Sequence, residues 1–503
     1  MQITTQSIAH LLLISFVLAS ASLAQDQESE RTLGLLQHGD QAHDGYTLLA
    51  PLGSTETFLI DMEGEIVHVW GSEYAPSGPV YLRDNGNLLR PARHESNTRF
   101  QGGGIGGRIQ EFSWDSELLW DYVIMDDKQT QHHDIALMPN GNLLLIVWKH
   151  HTAEEALAAG RDPAVVMPGG LWTDSIVEIR PIFPDAAQIV WQWNSWDHLI
   201  QDLDEEKMGY GSIPDNAGRI DINGDFRDMP PMTQAEREEL KELERQMAAL
   251  GYAGGGEEDD EESADADSER GKITDWLHTN AVNYNAVNDL IVVSTPHMNE
   301  IWVIDHSTST EEAASSRGGR WKQGGDLLYR WGNPRNYGAG NNEDKRLFYQ
   351  HDPSWLPAAA SGELRLLLYN NGRGRPTGDF STAVELTLPF DPTRGFVREP
   401  LEAFAPQEPT WEWGGLDVLY SAFISGAQRL PNGNTLICEG ASGRLVEVTM
   451  EGDVAWEYVN ECFGEAAPKS TISPSTQPGA LFRATRIPLG SPALQGSGLD
   501  SNN

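Results

Sequence analysis

Apolar and polar residues alternate in short runs through most of the chain, and the runs come in pairs. Five pairs share one plan of strand, turn and strand: YLRDNGNLLR (81–90), ALMPNGNLLLI (136–146), AVNYNAVNDLIVVS (281–294), SWLPAAASGELRLLLY (354–369) and QRLPNGNTLICEG (428–440). Three of them turn on Asn-Gly, whose readiness for positive φ makes it the strongest short-range hairpin signal. Between the pairs lie six strand-like segments rich in tryptophan: EIVHVW (65–70), ELLWDY (117–122), QIVWQW (188–193), DLLYRWG (326–332), TWEWGG (410–415) and DVAWEY (453–458). Hairpins followed by an aromatic outer strand, repeating every roughly 40 to 80 residues, predict the blades of an all-β propeller.

One interval breaks the rhythm. From Trp193 to Trp331 the spacing is too long for one blade, and its middle, 203–272, loses the alternation. There TQAEREELKELERQMAAL opens with a Thr233…Glu236 capping box, which predicts a helix, and GYAGGG leads into the run EEDDEESADADSE. Charge of that density cannot be buried, so the stretch reads as an insertion, partly helical and partly disordered and acidic. It lacks the glycine and ligand spacing of a calcium loop.

The first 24 residues hold no Lys, Arg, Asp or Glu, carry the apolar core HLLLISFVLAS and exit through Ser22-Leu23-Ala24, the pattern of a secretory signal peptide. No other run approaches the ~20 apolar residues of a membrane span. The expected organisation is a signal peptide at 1–24, a linker at 25–43, the propeller at 44–487 with the insertion at 203–272, and a tail at 488–503. The destination is the periplasm or the exterior.

Composition supports this reading. Gly 50, Pro 28 and Trp 16 in 503 residues suit many short strands and turns. A net charge of −40 argues against nucleic acid and anionic membranes as partners. Two cysteines, Cys438 and Cys462, exclude a cysteine-rich metal scaffold and leave their own pairing open.

Aligning the hairpins on their turns places histidines in one register. His133 stands seven residues before Asn140, His278 seven before Asn285 and His351 seven before Ala358; the other two hairpins have Ser425 and Gly78 at that place. The first strand of each blade lines a propeller's central channel, so equivalent positions face one another. His133, His278 and His351 should converge on one pocket. Asp134 and Asp352 follow two of them and are placed to accept the other imidazole N–H, and Asn280 should share the face of His278. Arg373 and Arg375, in YNNGRGRP, are within reach of an anion at the channel mouth, or lie in solvent. His132, His150 and His151 fall outside the register and read as structural or surface residues. The tryptophans read as packing between blades.

GYTLLAPLGSTETFLIDMEGEIVHVW, HHDIALMPNGNLL, DWLHTNAVNYNAVNDLIVVS, QHDPSWLP, SGAQRLPNGNTLICEGASGRLVEVTMEGDVAWEYVN and the closing FRATRIP together resemble the bacterial arylsulfotransferases, from about residue 44 to 487. The resemblance implies a six-bladed propeller that moves a sulfuryl group from an aryl sulfate to a phenol, independently of the nucleotide donor PAPS and with no cofactor or metal. It implies a ping-pong route through a sulfohistidine at His351, with His278 and His133 as acid, base and oxyanion donors. A neutral imidazole is a competent nucleophile toward sulfur.

The sequence departs from the family where its best-known members have an arginine in a Ser-Ser-Arg context. Here the place reads Ser294-Thr295-Pro296-His297, and proline offers neither charge nor N–H. A protonated His297 or Arg373 would have to replace it, and Asn280 and Ser425 complete the expected substrate-binding set. With blade 1 near residue 44, no β-sandwich is expected before the propeller, and the oligomeric state of members that have one does not carry over. Two other readings fit the same residues: a propeller that binds a sulfated or phenolic ligand or a partner without turnover, and a metalloenzyme with three histidine ligands.

Overall fold

The structure is a computed structural model and describes residues 33–94, 99–224, 233–250, 252, 274–357, 362–462 and 479–499. Six antiparallel sheets follow one another around a channel as propeller blades. Inner strands are Tyr81–Leu82, Gln129–Leu137, Ala281–Asn285, His351–Trp355 and Gly426–Arg429 in blades 2 to 6, each the first strand of a predicted hairpin. Blade 1 is assembled from both ends of the chain: its inner strand, Leu481–Pro488, pairs with Gly45–Pro51. That closure carries Phe482 and Arg483 of FRATRIP to the channel wall.

The outer tryptophans form a ring of directed contacts. Each donates its indole N–H to a carbonyl at the turn between the third and fourth strands of the next blade: Trp70 to Ser113 (3.2 Å), Trp120 to Ala186 (2.9 Å), Trp193 to Gly325 (2.7 Å), Trp331 to Pro406 (2.7 Å), Trp413 to Gly452 (3.1 Å) and Trp456 to Met62 (2.8 Å). The repeat in sequence is thus a repeat of one inter-blade joint, and the last closes blade 6 on blade 1. A buried indole with an unmet N–H would cost about 1–3 kcal/mol, which is why the turn beneath each tryptophan matters as much as the ring.

Several boundaries differ from the sequence expectation. Gly34–His38, inside the expected linker, pairs with Val454–Val459 as a fifth strand of blade 6. Residues up to Gly224 are not yet insertion: Ile220–Asp221 pairs with Leu199–Ile200, and Ile220 and Ile222 are core residues of blades 3 and 4. The helix Gln234–Ala249 starts on the expected Thr233 and Glu236 capping box, but it is docked and not free in solvent. Leu243, Leu250 and Tyr252 pack against Leu52, Phe423, Ile424, Ala480 and Phe482 at the channel mouth. These apolar contacts were hidden among charges, since only one stripe of the helix touches protein. In the expected tail, Leu494 is buried against Val80, Leu88 and Phe112. The signal pattern and the acidic run, with the disorder expected of it, lie outside the described residues. Cys438 and Cys462 are buried and unpaired. Among the described residues no helix is long and apolar enough to cross a membrane.

His306 links two blades and supplies a stability test. Its Nδ1 meets Asp289 Oδ1 at 2.6 Å and its Nε2 meets Glu178 Oε2 of blade 3 at 3.1 Å. Burial opposes the cation, yet the two carboxylates raise the imidazole to about 9. A pKa above the unfolded value of ~6.5 means that the contribution is complete below about pH 6.5 and is lost as pH rises through about 9. His306→Gln should therefore lower stability at pH 6 by about 3 kcal/mol, and the gap to the native chain should close by pH 10. Thermal melts at both pH values decide it; a gap that does not depend on pH would assign the effect to packing.

Candidate active site

His133 and His351 enter the channel at strand bulges, and His278 does so just ahead of its strand. In blade 3, Leu145 opposes Ile135 and Val147 opposes Gln131, so three residues, His132 to Asp134, face the single position of Ile146. His133 there takes φ +52°, and His278, just ahead of its strand, takes φ +54°. In blade 5 the bulge follows His351, which pairs with Tyr369, and the positive φ (+55°) falls on Asp352. Left-handed backbone at non-glycine residues costs about 1–2 kcal/mol each; bulges of this kind re-aim a side chain out of the pleat. Gly78 occupies the register in blade 2 for a local reason: a Cβ there would lie 1.9 Å from the carbonyl oxygen of His133.

His351 has one satisfied and one open nitrogen. Nδ1 lies 2.7 Å from Asn371 Oδ1 and 3.2 Å from the carbonyl of Tyr349. The Asn371 amide donates to the carbonyls of Ser421 (2.8 Å) and Ile424 (2.9 Å), which turns its oxygen toward the imidazole. Nδ1 must therefore carry the proton. Nε2 is left with its lone pair, buried and without a hydrogen-bond partner among the described residues. Burial drives the imidazole down to about 3 despite the Asn371 bond, so it is neutral near pH 7.

His133 and His278 meet at 4.6 Å between ring centroids, and His278 stacks on His297 at 4.9 Å. Phe482 stands beside both His133 (6.0 Å) and His351 (6.2 Å). His278 donates Nδ1–H to Asp275 Oδ2. Burial works against ionisation of Asp275, but His278, His297 and His132 together hold its carboxyl below the ordinary value. The pair resembles the His–Asp couple that lets an imidazole alternate between acid and base. His133 is held neutral, first by burial and then by the neighbouring histidines. Its Nδ1 is 2.7 Å from His132 Nδ1, and its Nε2 is 2.7 Å from the hydroxyl of Tyr252. His132 stacks on Trp148 at 3.9 Å, and its Nε2 is 3.2 Å from Asp174 Oδ1, near enough for charge coupling though off a good hydrogen-bond line. A chain of groups thus leads from Tyr252 through His133 and His132 to Asp174.

Other expectations are corrected. Asp134 and Asp352 orient no imidazole: both face Arg483, at 3.2 and 3.0 Å, and each accepts a backbone N–H of the next blade, from Val282 and Ala427. Residues next to each other on a strand point apart, and these two became the struts between blades. Burial lifts Asp352 to about 7 in spite of Arg483. Asn280 donates to the carbonyl of Gln350 at 2.9 Å, next to His351, and its Oδ1 is buried without a hydrogen-bond partner among the described residues. Ser425 accepts the N–H of Gly440 at 2.9 Å and lies 3.4 Å from the carbonyl of Phe423, so its hydroxyl serves the backbone. His132 is part of the site, whereas His150 bonds the carbonyl of Gly169 and His151 stacks on Trp196. Arg375 packs on Phe380 and donates to Thr382.

Of the two replacements expected for the missing arginine, His297 and Arg373, only the second carries a permanent charge. His297 donates Nδ1–H to the carbonyl of Asp275 at 2.9 Å, and burial followed by the charge of His278 pushes it down to about 4, so it is not a cation at neutral pH. Arg373 lies 3.5 Å above the ring of Tyr349, with no ion-pair partner among the described residues, and its field reaches His297 and Tyr252.

Residues missed in the sequence are Asp275, Asn371, Arg483, Tyr252 and the glycines of QGGGIGG (101–107). Asp275 stands three before His278, and the glycine run was a visible signal of close approach: a Cβ on Gly104 would lie 2.4 Å from the ring of His133, and one on Gly103 2.4 Å from that of Tyr252. Among the described residues no group of three His, Cys, Asp or Glu is arranged to hold a metal ion.

A sequence model of the Arylsulfotransferase (ASST) family matches residues 24–462. No curated protein matches the chain. Among solved structures, it is similar to a protein of unknown function from Bacteroides caccae (12% identity, 88% of this chain and 99% of that chain, TM-score 0.41). It is also similar to a periplasmic gluconolactonase of Pseudomonas aeruginosa (12% identity, 88% and 99%, TM-score 0.36). A third is a catalytically inactive virginiamycin B lyase from Staphylococcus aureus (8% identity, 85% and 88%, TM-score 0.34).

Proposed function

Because this chain belongs to the arylsulfotransferase (ASST) family, whose substrates are small aryl compounds, we propose that it is an exported enzyme that carries a sulfuryl group from an aryl sulfate to a phenol on His351. The observation that carries the proposal is the state of His351: neutral, with Nδ1–H fixed on Asn371 and a buried, unpartnered Nε2. Nε2 attacks sulfur, the bond from sulfur to the aryl oxygen breaks, and His278, coupled to Asp275, protonates the departing phenolate. An incoming phenol then gives its proton to His133 Nε2 and attacks the same sulfur, which frees His351. Arg373 supplies the positive charge for the sulfuryl oxygens that Pro296 does not. No PAPS, metal or other cofactor enters this route.

The test is a rapid quench of the purified protein during the first turnover of 4-nitrophenyl sulfate, with peptide mapping that avoids acid. One equivalent of nitrophenol released without acceptor, with a gain of about 80 Da (one SO₃) on the His351 peptide, is the expected result. Tight binding of the aryl sulfate with no nitrophenol would instead return the reading of a binding propeller, and the sulfohistidine route would be withdrawn.

A further inference from the structure

We propose that Tyr252 is an acceptor built into the chain: it fills the phenol position beside His133 and takes the sulfuryl group from His351, becoming a tyrosine O-sulfate. The inference rests on the sulfuryl-transfer reading of the histidines. Its starting point is that the hydroxyl of Tyr252 lies 2.7 Å from His133 Nε2 and 3.4 Å from His278 Nε2. The first is the nitrogen that takes the proton of an acceptor phenol, and the second belongs to the imidazole that protonates the departing one.

The pocket around the ring is built for it. Gly103 leaves room that a single Cβ would fill, at 2.4 Å from Tyr252 Cε1. Phe423 and Phe482 flank the ring at 5.5 and 6.2 Å between centroids, and Tyr252 is 2% exposed. Its backbone is held at both ends: its N–H donates to the carbonyl of Met247 at 2.9 Å, and its carbonyl accepts the N–H of Gly104 at 3.1 Å. Leu243 and Leu250 anchor the preceding helix on the same cluster. The strand pairing that closes the ring of blades, Leu481–Pro488 with Gly45–Pro51, does not involve the insertion. An apolar slot with a base at its end is what a phenol acceptor requires, and here the chain supplies the phenol.

Phe482 borders Tyr252, His133 and His351 alike, so donor imidazole, base and acceptor surround one ring. The step balances. The bond from His351 Nε2 to sulfur breaks as a bond from Tyr252 oxygen to sulfur forms, and the phenol proton passes to His133 Nε2. His133 can share that proton through Nδ1 with His132, whose Nε2 faces Asp174. An aryl sulfate is the co-reactant and leaves as the free phenol. The product places an anion in a slot lined by Phe423, Phe482 and Gly103, which disfavours the docked position. Self-transfer therefore happens once and vacates the site for an outside phenol.

The experiment is incubation of the full chain with 4-nitrophenyl sulfate for many turnover times, with and without excess phenol, followed by peptide mapping without acid. Native protein alone should gain about 80 Da on the peptide holding Tyr252, and Tyr252→Phe should lose that label while still gaining one on the His351 peptide with its first release of nitrophenol. Label on His351 with steady transfer to phenol, and none on Tyr252 at any time, would overturn the proposal and leave the sulfohistidine route standing. No nitrophenol from either protein, with or without phenol, would sink both.

Discussion

A His351→Ala chain should still bind an aryl sulfate but release nitrophenol at least about a thousand-fold more slowly than the native chain, with no covalent label anywhere. The other imidazoles that meet in the pocket are each engaged: His133 by Tyr252 and His132, His278 by Asp275, His297 by a backbone carbonyl. Of these four, only His351 presents a buried, unpartnered ring nitrogen. The variant leaves Asn371 Oδ1 without its donor, a loss of about 1–2 kcal/mol, so it should fold. The pH dependence of the native donor step gives an independent check. Protonation disables the nucleophile, and a pKa depressed to about 3 extends its working range downward. Single-turnover release should stay level from pH 7 to 5 and fall only toward about 3 to 4. Full activity in His351→Ala would remove the residue from the mechanism; an acid limb near ~6.5 would mean that the imidazole is not desolvated as described.

The repeat was legible because each hairpin obeys a constant distance between its turn and the channel end of its inner strand. Counting back from Asn140 and Asn285 therefore found His133 and His278, which the structure brings into contact. The same count misread the aspartates beside the histidines. Neighbouring residues on a strand point apart, and with positive φ at His133 and at Asp352, where the strands of blades 3 and 5 bulge, Asp134 and Asp352 face Arg483 instead. Arg483 itself was out of reach, because the inner strand of blade 1 lies at the far end of the chain from its partner. The tryptophan ring was readable as packing, but its hydrogen bonds run to turns of the next blade and have no local trace. Tyr252 was hidden most deeply. It sits between a charged helix and an acidic run, and only the glycines of QGGGIGG, far away in the chain at 101–107, mark the room kept for its ring.

Gly104→Ala should reduce transfer by about a hundred-fold while leaving the propeller folded, the second large effect expected at the site. Gly104 takes φ +70°, a conformation that an L side chain adopts at a cost of about 1–2 kcal/mol. A methyl group there would fall 2.4 to 2.5 Å from Cδ2, Nε2 and Cε1 of His133, so the imidazole must turn or withdraw. Either movement separates Nε2 from an acceptor oxygen and breaks the bond to the hydroxyl of Tyr252. The backbone around the substitution is bonded twice into the site, through the carbonyl of Gly104 to the N–H of His133 at 2.7 Å and through its own N–H to Tyr252. Donor chemistry on His351 does not use His133, so the first release of nitrophenol should survive and transfer to phenol should fail. That split between a normal burst and a slow second step is the measurement. Equal loss of both steps, with an unchanged melting temperature, would show that His133 also serves the donor half-reaction; native rates in both would mean that the base is another group.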